Sequence, residues 1–124
     1  MSNAKSCPFC GPQEPIARNE HAYMIYDRYP AARGHLLLVT SRHVGSFFET
    51  TTDERQALLR LLDDAKVLLD NAFSPHGFNI GINVGGAAGQ TILHVHVHVI
   101  PRYRADVPNP RGGVRAVIPG KQNY

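Results

Sequence analysis

The chain has 124 residues, 43% of them hydrophobic, and a formal net charge of +3. This length suits one domain with one core, and no apolar run is long enough to predict a membrane-spanning helix. The mild positive charge suits a small anionic ligand, and it is too weak and too evenly spread to predict binding to duplex nucleic acid.

The N-terminal region is polar and lacks the apolar segment of a signal peptide, so we expect a cytoplasmic protein. Residues 1–4 are typical of a cloning scar and are left out of the fold prediction. Cys7 and Cys10, the only cysteines, lie in Cys-Pro-Phe-Cys. They could form half of a metal site, a redox pair or two idle thiols. Gly11 and Pro12 directly after them favour a knuckle-like turn over a redox pair that opens a helix.

Two apolar segments follow in the first half of the chain. Residues 22–26 (Ala-Tyr-Met-Ile-Tyr) and 36–40 (Leu-Leu-Leu-Val-Thr) are short and bounded by turn residues, which predicts two strands. They are expected to pair as a hairpin with Asp27 at its rim.

One helix is clearly predicted after these strands. Thr51 and Glu54 match the capping-box pattern, and leucine and alanine then recur at helical spacing with charges on the other side. We expect the helix to end near Asn71, before a Ser-Pro break, and to pack on the core through its leucines.

The second half of the chain predicts another hairpin. Residues 77–84 alternate as in a strand, a glycine-rich loop covers 85–91, and a second strand starts at Leu93. Residues 114–118 could add a short edge strand. The order of elements predicts an α+β domain, with an antiparallel sheet of about five strands and one main helix packed on one face.

The second of these strands carries His94, His96 and His98 at two-residue spacing, separated by valines. Alternate strand side chains share a face, so the valines would face the helix and the imidazoles a cleft. A strand rises about 3.3 Å per residue, which puts the outer two rings about 13 Å apart. The three rings therefore cannot all act on one atom.

Imidazole beside a glycine-rich loop favours phosphate chemistry. Imidazole titrates near neutral pH and can act as a nucleophile, an acid or a donor to an anion, and glycines let backbone N–H groups approach an oxyanion. Two other interpretations stay open at this point. The histidines could simply be packed or solvent-exposed, or two of them could share a catalytic metal with ligands from elsewhere.

The sequence His-Val-His-Val-His-Val-Ile, preceded by Ile82-Asn83 and Gly89-Gln90-Thr91, resembles the histidine triad (HIT) superfamily of nucleotide-binding proteins. Asp27 and the Gly-His-Leu-Leu-Leu-Val segment from Gly34 support the resemblance. It implies a HIT domain over residues 5–104 and a C-terminal tail over 105–124.

The resemblance also implies roles for individual residues. His96 would be the nucleophile that attacks the α-phosphorus of a dinucleoside polyphosphate or nucleoside phosphoramidate and forms a nucleotidyl-histidine. The phosphate-binding residues would be His98, Gln90, Thr91, Asn83 and Gly89. The nucleoside-binding residues would be Asp27, on the ribose hydroxyls, with Ile25 and Leu36 near a purine base. His35 could belong to the site or be a packed histidine at a strand start.

In relatives with Cys-x-x-Cys near the N-terminus a structural zinc is typical, and its ligands here would be Cys7, Cys10, His43 and His94. The resemblance further implies a homodimer, with no nucleic acid or membrane partner. Three functions stay open: a nucleotide hydrolase or nucleotidyl transferase, a purine-nucleotide-binding regulatory protein with little turnover, and a metalloenzyme centred on the histidines.

Overall fold

The computed structural model describes residues 6–124, so the predicted scar at residues 1–4 lies outside the described part. Five strands and one long α-helix form the domain. Their bounds are β1 Ala17–Arg18, β2 Ala22–Tyr26, β3 Leu36–Thr40, α1 Thr52–Phe73, β4 Gly77–Gly81 and β5 His96–Arg102.

The five strands make one sheet in the order β1-β2-β3-β5-β4, and every neighbouring pair is antiparallel. The central strand β3 is buried at all five positions, as expected for an apolar run covered on both faces. The helix packs on one face against β2, β3 and β5. The predicted α+β class and both predicted hairpins are thus confirmed.

The start of α1 follows from its capping box. The Thr51 hydroxyl accepts from the Glu54 N–H at 3.1 Å, and the Glu54 carboxylate accepts from the Thr51 N–H at 2.9 Å, so two otherwise unpaired donors are satisfied. The helix continues to Phe73, two residues beyond the predicted end at Asn71, and Ser74 closes it with a φ of 50°. The helix therefore ends directly at the Ser-Pro break.

The sheet separates two apolar clusters. On the helix side lie Met24, Leu38 and the valines of β5 against the leucines of α1. On the opposite side lie Cys7, Phe9, Tyr23, Leu37 and Val39. Because strand side chains alternate, the histidines of β5 face this second side, as predicted.

Two predicted strand bounds and one predicted strand are wrong. Strand β4 ends at Gly81 instead of Val84, and β5 starts at His96 instead of Leu93. Residues 114–118 form no edge strand but lie mostly in a 3-10 turn, Gly113–Val117. Gly112 and Gly113 have φ values of 82° and 50°, which turn the chain away from the extended conformation. Among residues 6–124, no helix has the length and apolar character needed to cross a membrane.

Candidate active site and metal site

The candidate site is built from three cross-strand rows on the face opposite the helix. Strand pairing places Tyr23, Val39 and His96 in one row. It places Ile25, Leu37 and His98 in the next. Beyond the strand ends, the Asp27 N–H donates to the His35 carbonyl at 2.9 Å and forms the third row. The chain thus brings two histidines of β5, the histidine directly before β3 and the aspartate directly after β2 onto one surface.

His96 is held by its own strand. Its Nδ1 lies 2.7 Å from the carbonyl oxygen of His94, and because a carbonyl only accepts, Nδ1 must carry the proton. In the neutral ring Nε2 then keeps its lone pair and can act as a nucleophile. The side chain is largely buried, with 8% of the residue exposed, so little water competes at that nitrogen.

His98 is oriented by His35. The Ala31 N–H donates to His35 Nδ1 at 2.9 Å, so a neutral His35 carries its proton on Nε2. That N–H donates to His98 Nδ1 at 3.0 Å, which leaves the proton of a neutral His98 on its own Nε2. The chain of hydrogen bonds makes His96 a lone-pair donor and His98 an N–H donor, although the two residues are chemically the same.

Burial favours the neutral forms of His35 and His98. It lowers the pKa of His35, opposed by the Asp27 carboxylate, whose Oδ2 lies 3.5 Å from His35 Nε2. Burial also lowers the pKa of His98, with further lowering from His96 and His35. Neutral imidazoles suit the donor chain described above, because protonation of His35 would end the hydrogen bond from Ala31.

The same three side chains, Asp27, His35 and His98, lie close enough together to hold a metal ion. The Ala31 N–H argues against it. A metal on His35 Nε2 needs the proton on Nδ1, where it would point at another N–H donor. We therefore interpret this cluster as a hydrogen-bonding device and not as a catalytic metal site.

A second cluster lies at the start of the histidine segment. It comprises Cys7, Cys10, His43 and His94, the four residues predicted to bind zinc. His94 Nδ1 lies 3.3 Å from Cys7 Sγ, 3.4 Å from Cys10 Sγ and 3.2 Å from His43 Nδ1. Cys10 Sγ lies 3.2 Å from His43 Nδ1.

These separations fit one tetrahedral ion. Zinc bonds of about 2.05 Å to nitrogen and about 2.3 Å to sulfur imply N···N and N···S separations of about 3.3 and 3.5 Å around a tetrahedron. His94 Nε2 donates to the Thr40 carbonyl at 2.7 Å, which leaves Nδ1 free to ligate. Burial and the neighbouring Cys7 raise the pKa of the Cys10 thiol, and a bound cation would lower it again.

The Gln90 side chain is hydrogen-bonded within the protein. Its Oε1 accepts from the Gly85 N–H at 2.9 Å, and its Nε2 donates to the carbonyls of Gly45 at 2.7 Å and Ile92 at 3.1 Å. Both N–H donors of the amide are thus used, so Gln90 offers none to a phosphate. It fixes the glycine-rich loop. The Gly89 N–H is also used within that loop, by the Gly86 carbonyl.

The two apolar residues predicted to contact the base lie on opposite faces of the sheet. Ile25 is half-buried and packs against the cluster of Phe9, Tyr23 and Leu37, whereas Leu36 is fully buried in the helix-side core. Leu36 thus lies away from the face that carries His98, whereas its neighbour Leu37 lies opposite His98. Within residues 6–124, the half-buried Asn83 and the exposed Thr91 have no side-chain hydrogen bond, so both can bind a ligand.

Comparisons with known proteins agree with this geometry. The HIT domain model matches residues 11–105. A 16.1 kDa HIT-like protein of Mycoplasma pneumoniae is 33% identical over 109 residues, covering 83% of this chain and 75% of that protein. The AP-4-A phosphorylase of Mycobacterium tuberculosis is 37% identical over 92 residues, covering 73% of this chain and 47% of the enzyme. A zinc-bound histidine triad family protein from Mycobacterium smegmatis superposes with a TM-score of 0.75 at 29% identity, covering 84% of this chain and 80% of that one.

Proposed function

The chain belongs to the histidine triad (HIT) family, and we propose that it is a nucleotide hydrolase or nucleotidyl transferase with His96 as its nucleophile. Its substrates would be dinucleoside polyphosphates or nucleoside phosphoramidates, attacked at the α-phosphate. The observation that carries this proposal is the 2.7 Å contact between His96 Nδ1 and the His94 carbonyl. It directs the lone pair of Nε2 away from the strand and towards a ligand.

The reaction has two displacements. In the first, the Nε2 lone pair of His96 forms a bond to the α-phosphorus, and the bond to the leaving oxygen or nitrogen breaks with its electron pair on the leaving group. In the second, water attacks the same phosphorus and loses a proton. The nitrogen–phosphorus bond then breaks, and its electron pair returns to Nε2. If inorganic phosphate replaces water as the acceptor, the enzyme is a phosphorylase.

The other side chains of the face assist these displacements. The Nε2–H of His98 donates to a phosphate oxygen or the leaving atom, where negative charge grows. Asn83 and Thr91 supply further polar contacts to the phosphate groups. Asp27 keeps Oδ2 for the ribose hydroxyls, because its Oδ1 accepts from the Tyr29 N–H at 2.9 Å.

Zinc, when bound, is structural in this proposal. Cys7, Cys10, His43 and His94 would hold it, and it would tie the N-terminal turn to the sheet. It has no part in the displacement at phosphorus. His94 Nδ1 points into that group while His94 supplies only its carbonyl to His96, which favours the nucleophile over a metalloenzyme centred on the three histidines.

We also propose a homodimer. Strand β4 is a sheet edge and carries Ile80, which is 45% exposed, and α1 exposes Leu59 and Val67 at 62% and 60%. Open edges and apolar surface of this kind suit pairing with a second copy. Light scattering after size exclusion should give twice the chain mass, and Ile80→Glu should shift it towards the monomer. A monomeric native chain would rule the dimer out.

The function is tested with a substrate panel of diadenosine triphosphate, diadenosine tetraphosphate and an adenosine phosphoramidate, each with and without inorganic phosphate. His96→Ala should lower turnover at least about 10³-fold and keep nucleotide binding, and mass spectrometry of the native enzyme should find a nucleotidyl adduct on His96. His76→Ala, at an exposed histidine, is the matched control. Undiminished turnover in His96→Ala would rule out the covalent route, and binding without turnover in the native chain would identify a regulatory nucleotide-binding protein.

A further inference from the structure

One residue between the two cysteines has no role in the function proposed so far. Phe9 is buried, with 9% exposed, on the sheet face that carries the histidines. Its ring centroid lies 5.1 Å from that of His96, with the planes tilted by 59°. It also lies 5.8 Å from the His94 ring in a T-shaped contact. Phe9 therefore touches the proposed nucleophile directly.

The position of Phe9 is fixed from both sides. The Cys10 N–H donates to the Cys7 carbonyl at 3.2 Å and closes the turn around it. The Tyr23 hydroxyl donates to the Phe9 carbonyl at 2.6 Å in a buried contact. Burial raises the pKa of Tyr23, so the hydroxyl keeps the proton it donates. The phenylalanine is thus anchored through its backbone, independently of its ring.

His96 needs such a neighbour. Among the described residues its ring makes one hydrogen bond, from Nδ1 to the His94 carbonyl, so rotation about the two side-chain torsions is otherwise limited only by packing. The two rings beside it restrict that rotation, Phe9 at 5.1 Å and His98 at 5.1 Å. In-line attack at phosphorus requires the Nε2 lone pair to keep one direction.

We propose that Phe9 is a positioning residue that holds the imidazole of His96 in the orientation and tautomer needed for attack. This inference rests on the proposed function. The turn from Cys7 to Cys10 thereby has two roles: it supplies metal ligands, and it places the phenylalanine ring against the nucleophile. Shortening that ring to an aliphatic chain frees His96 to rotate, and its Nδ1 hydrogen bond to His94 weakens.

The test compares Phe9→Leu with Phe78→Leu. Phe78 is a half-buried phenylalanine on the helix side of the sheet, and within residues 6–124 its ring does not stack on that of a histidine. A second variant, Tyr23→Phe, removes only the hydroxyl that anchors the Phe9 backbone. For each protein, kcat and KM are measured on diadenosine tetraphosphate. Nitrogen-15 NMR of the histidine rings reports which nitrogen of His96 carries the proton, and elemental analysis reports the zinc content.

Phe9→Leu should lower kcat about tenfold, as for a slightly misplaced nucleophile, with KM within about twofold. His96 should change from a single Nδ1–H form to a mixture. Tyr23→Phe should move both readouts in the same direction by less, and it decides the question if Phe9→Leu fails to fold. Phe78→Leu should match the native chain in both.

The proposal is overturned if Phe9→Leu keeps the native His96 tautomer and a kcat within about twofold of Phe78→Leu. Failure of the proposed function would give a different set of results. In that case the native chain shows no turnover and no adduct on His96, while the nitrogen-15 comparison of Phe9→Leu with the native chain still decides whether Phe9 positions the ring.

Discussion

His35 Nε2 lies 3.0 Å from His98 Nδ1, although the two residues are 63 positions apart in the chain. The contact joins the start of β3 to the middle of β5. It also sets which nitrogen of His98 faces a ligand, because His35 is itself fixed by the Ala31 N–H at 2.9 Å. The donor on His98 thus depends on a backbone group in the loop before β3.

Replacement of His35 tests this dependence. His35→Leu removes the donor to His98 and should lower kcat/KM by about 100-fold, which is the low end of the loss expected when a general acid–base contribution is removed. His35→Gln can place an amide N–H near the same point, so it should lose less. Steady-state kinetics on a dinucleoside polyphosphate measure both. Equal losses in the two variants would mean that the side chain acts by packing alone.

The pH dependence of stability gives a second prediction for the same residue. Burial lowers the pKa of His35 below its usual value of 6.5, and the groups that face it are His98 and Asp27. As the pH falls, the unfolded chain therefore binds a proton at a higher pH than the folded chain does. The stabilisation is fully present above about pH 6.5 and is lost as the pH falls through the folded pKa, by up to about 1.4 kcal/mol per pH unit.

Urea unfolding at pH 7 and pH 5 measures this effect. The native chain should lose more free energy of unfolding than His35→Gln over that interval, because the variant has no proton to take up at this position. Titration of the histidines that His35 does not contact is common to both proteins and cancels in the difference. Loss of His35 also removes its lowering of the His98 pKa, which acts in the same direction. If the difference in free energy of unfolding between the native chain and His35→Gln is the same at pH 7 and pH 5, the lowered pKa of His35 is contradicted.

Metal content is the third prediction. The purified native chain should hold about one zinc ion, and His43→Ala should lose it, because three remaining ligands leave the tetrahedron open. The free energy of unfolding should fall by at least about 3 kcal/mol, as is usual for loss of a structural metal. His76→Ala is the matched control and should keep the ion. Elemental analysis and denaturant unfolding provide the measurements, and a zinc-free native chain would end the zinc hypothesis.

Glu54 gives the fourth prediction. Its carboxylate accepts from Arg42 at 2.8 and 3.0 Å and from the Thr51 N–H at 2.9 Å. The Arg42 hydrogen bond contributes most to lowering the pKa of Glu54, to about 2. Because this pKa is depressed, the stabilisation is present above about 4.5, the ordinary value, and is lost as the pH falls towards 2.

Glu54→Gln keeps an acceptor for Thr51 but removes the charge. It should cost about 1 kcal/mol at pH 7, since the Arg42 side chain is half exposed and solvent screens the pair, and the cost should fade below pH 4. Glu49→Gln, at an exposed position in the preceding turn, is the control and should change stability by less than about 0.5 kcal/mol. Thermal unfolding across this pH range measures the cost of Glu54→Gln. A cost that is the same at every pH would contradict the lowered pKa of Glu54.

The parts of this protein that the sequence predicted well depend on local patterns. The Thr51–Glu54 box starts α1 because both hydrogen bonds join residues three apart. The alternation of valine and histidine decides the faces of β5 because strand side chains have a period of two. The four metal ligands also came together as expected, although that expectation came from a family resemblance and not from spacing.

At the site, the differences between expectation and structure have one cause, which is that a side chain's partners are not visible in its neighbours along the chain. Leu36 and Leu37 are adjacent and chemically identical, and only strand pairing with His98 decides which of them faces the site. Gln90 is next to Thr91, yet its amide is taken up by carbonyls as distant as Gly45. Phe9 reads as part of a metal-binding turn until the fold places it against His96.

By itself the sequence determined the α+β fold and the face on which the histidines lie. The spacing along one strand also excluded that all three rings act on one atom. The tertiary structure alone decided the proton positions. His96 is oriented by a carbonyl two residues away, but His98 takes its tautomer from His35 and Ala31 on another strand and loop. Hydrogen-bond direction depends on what lies across the sheet, and no pattern along the chain encodes it.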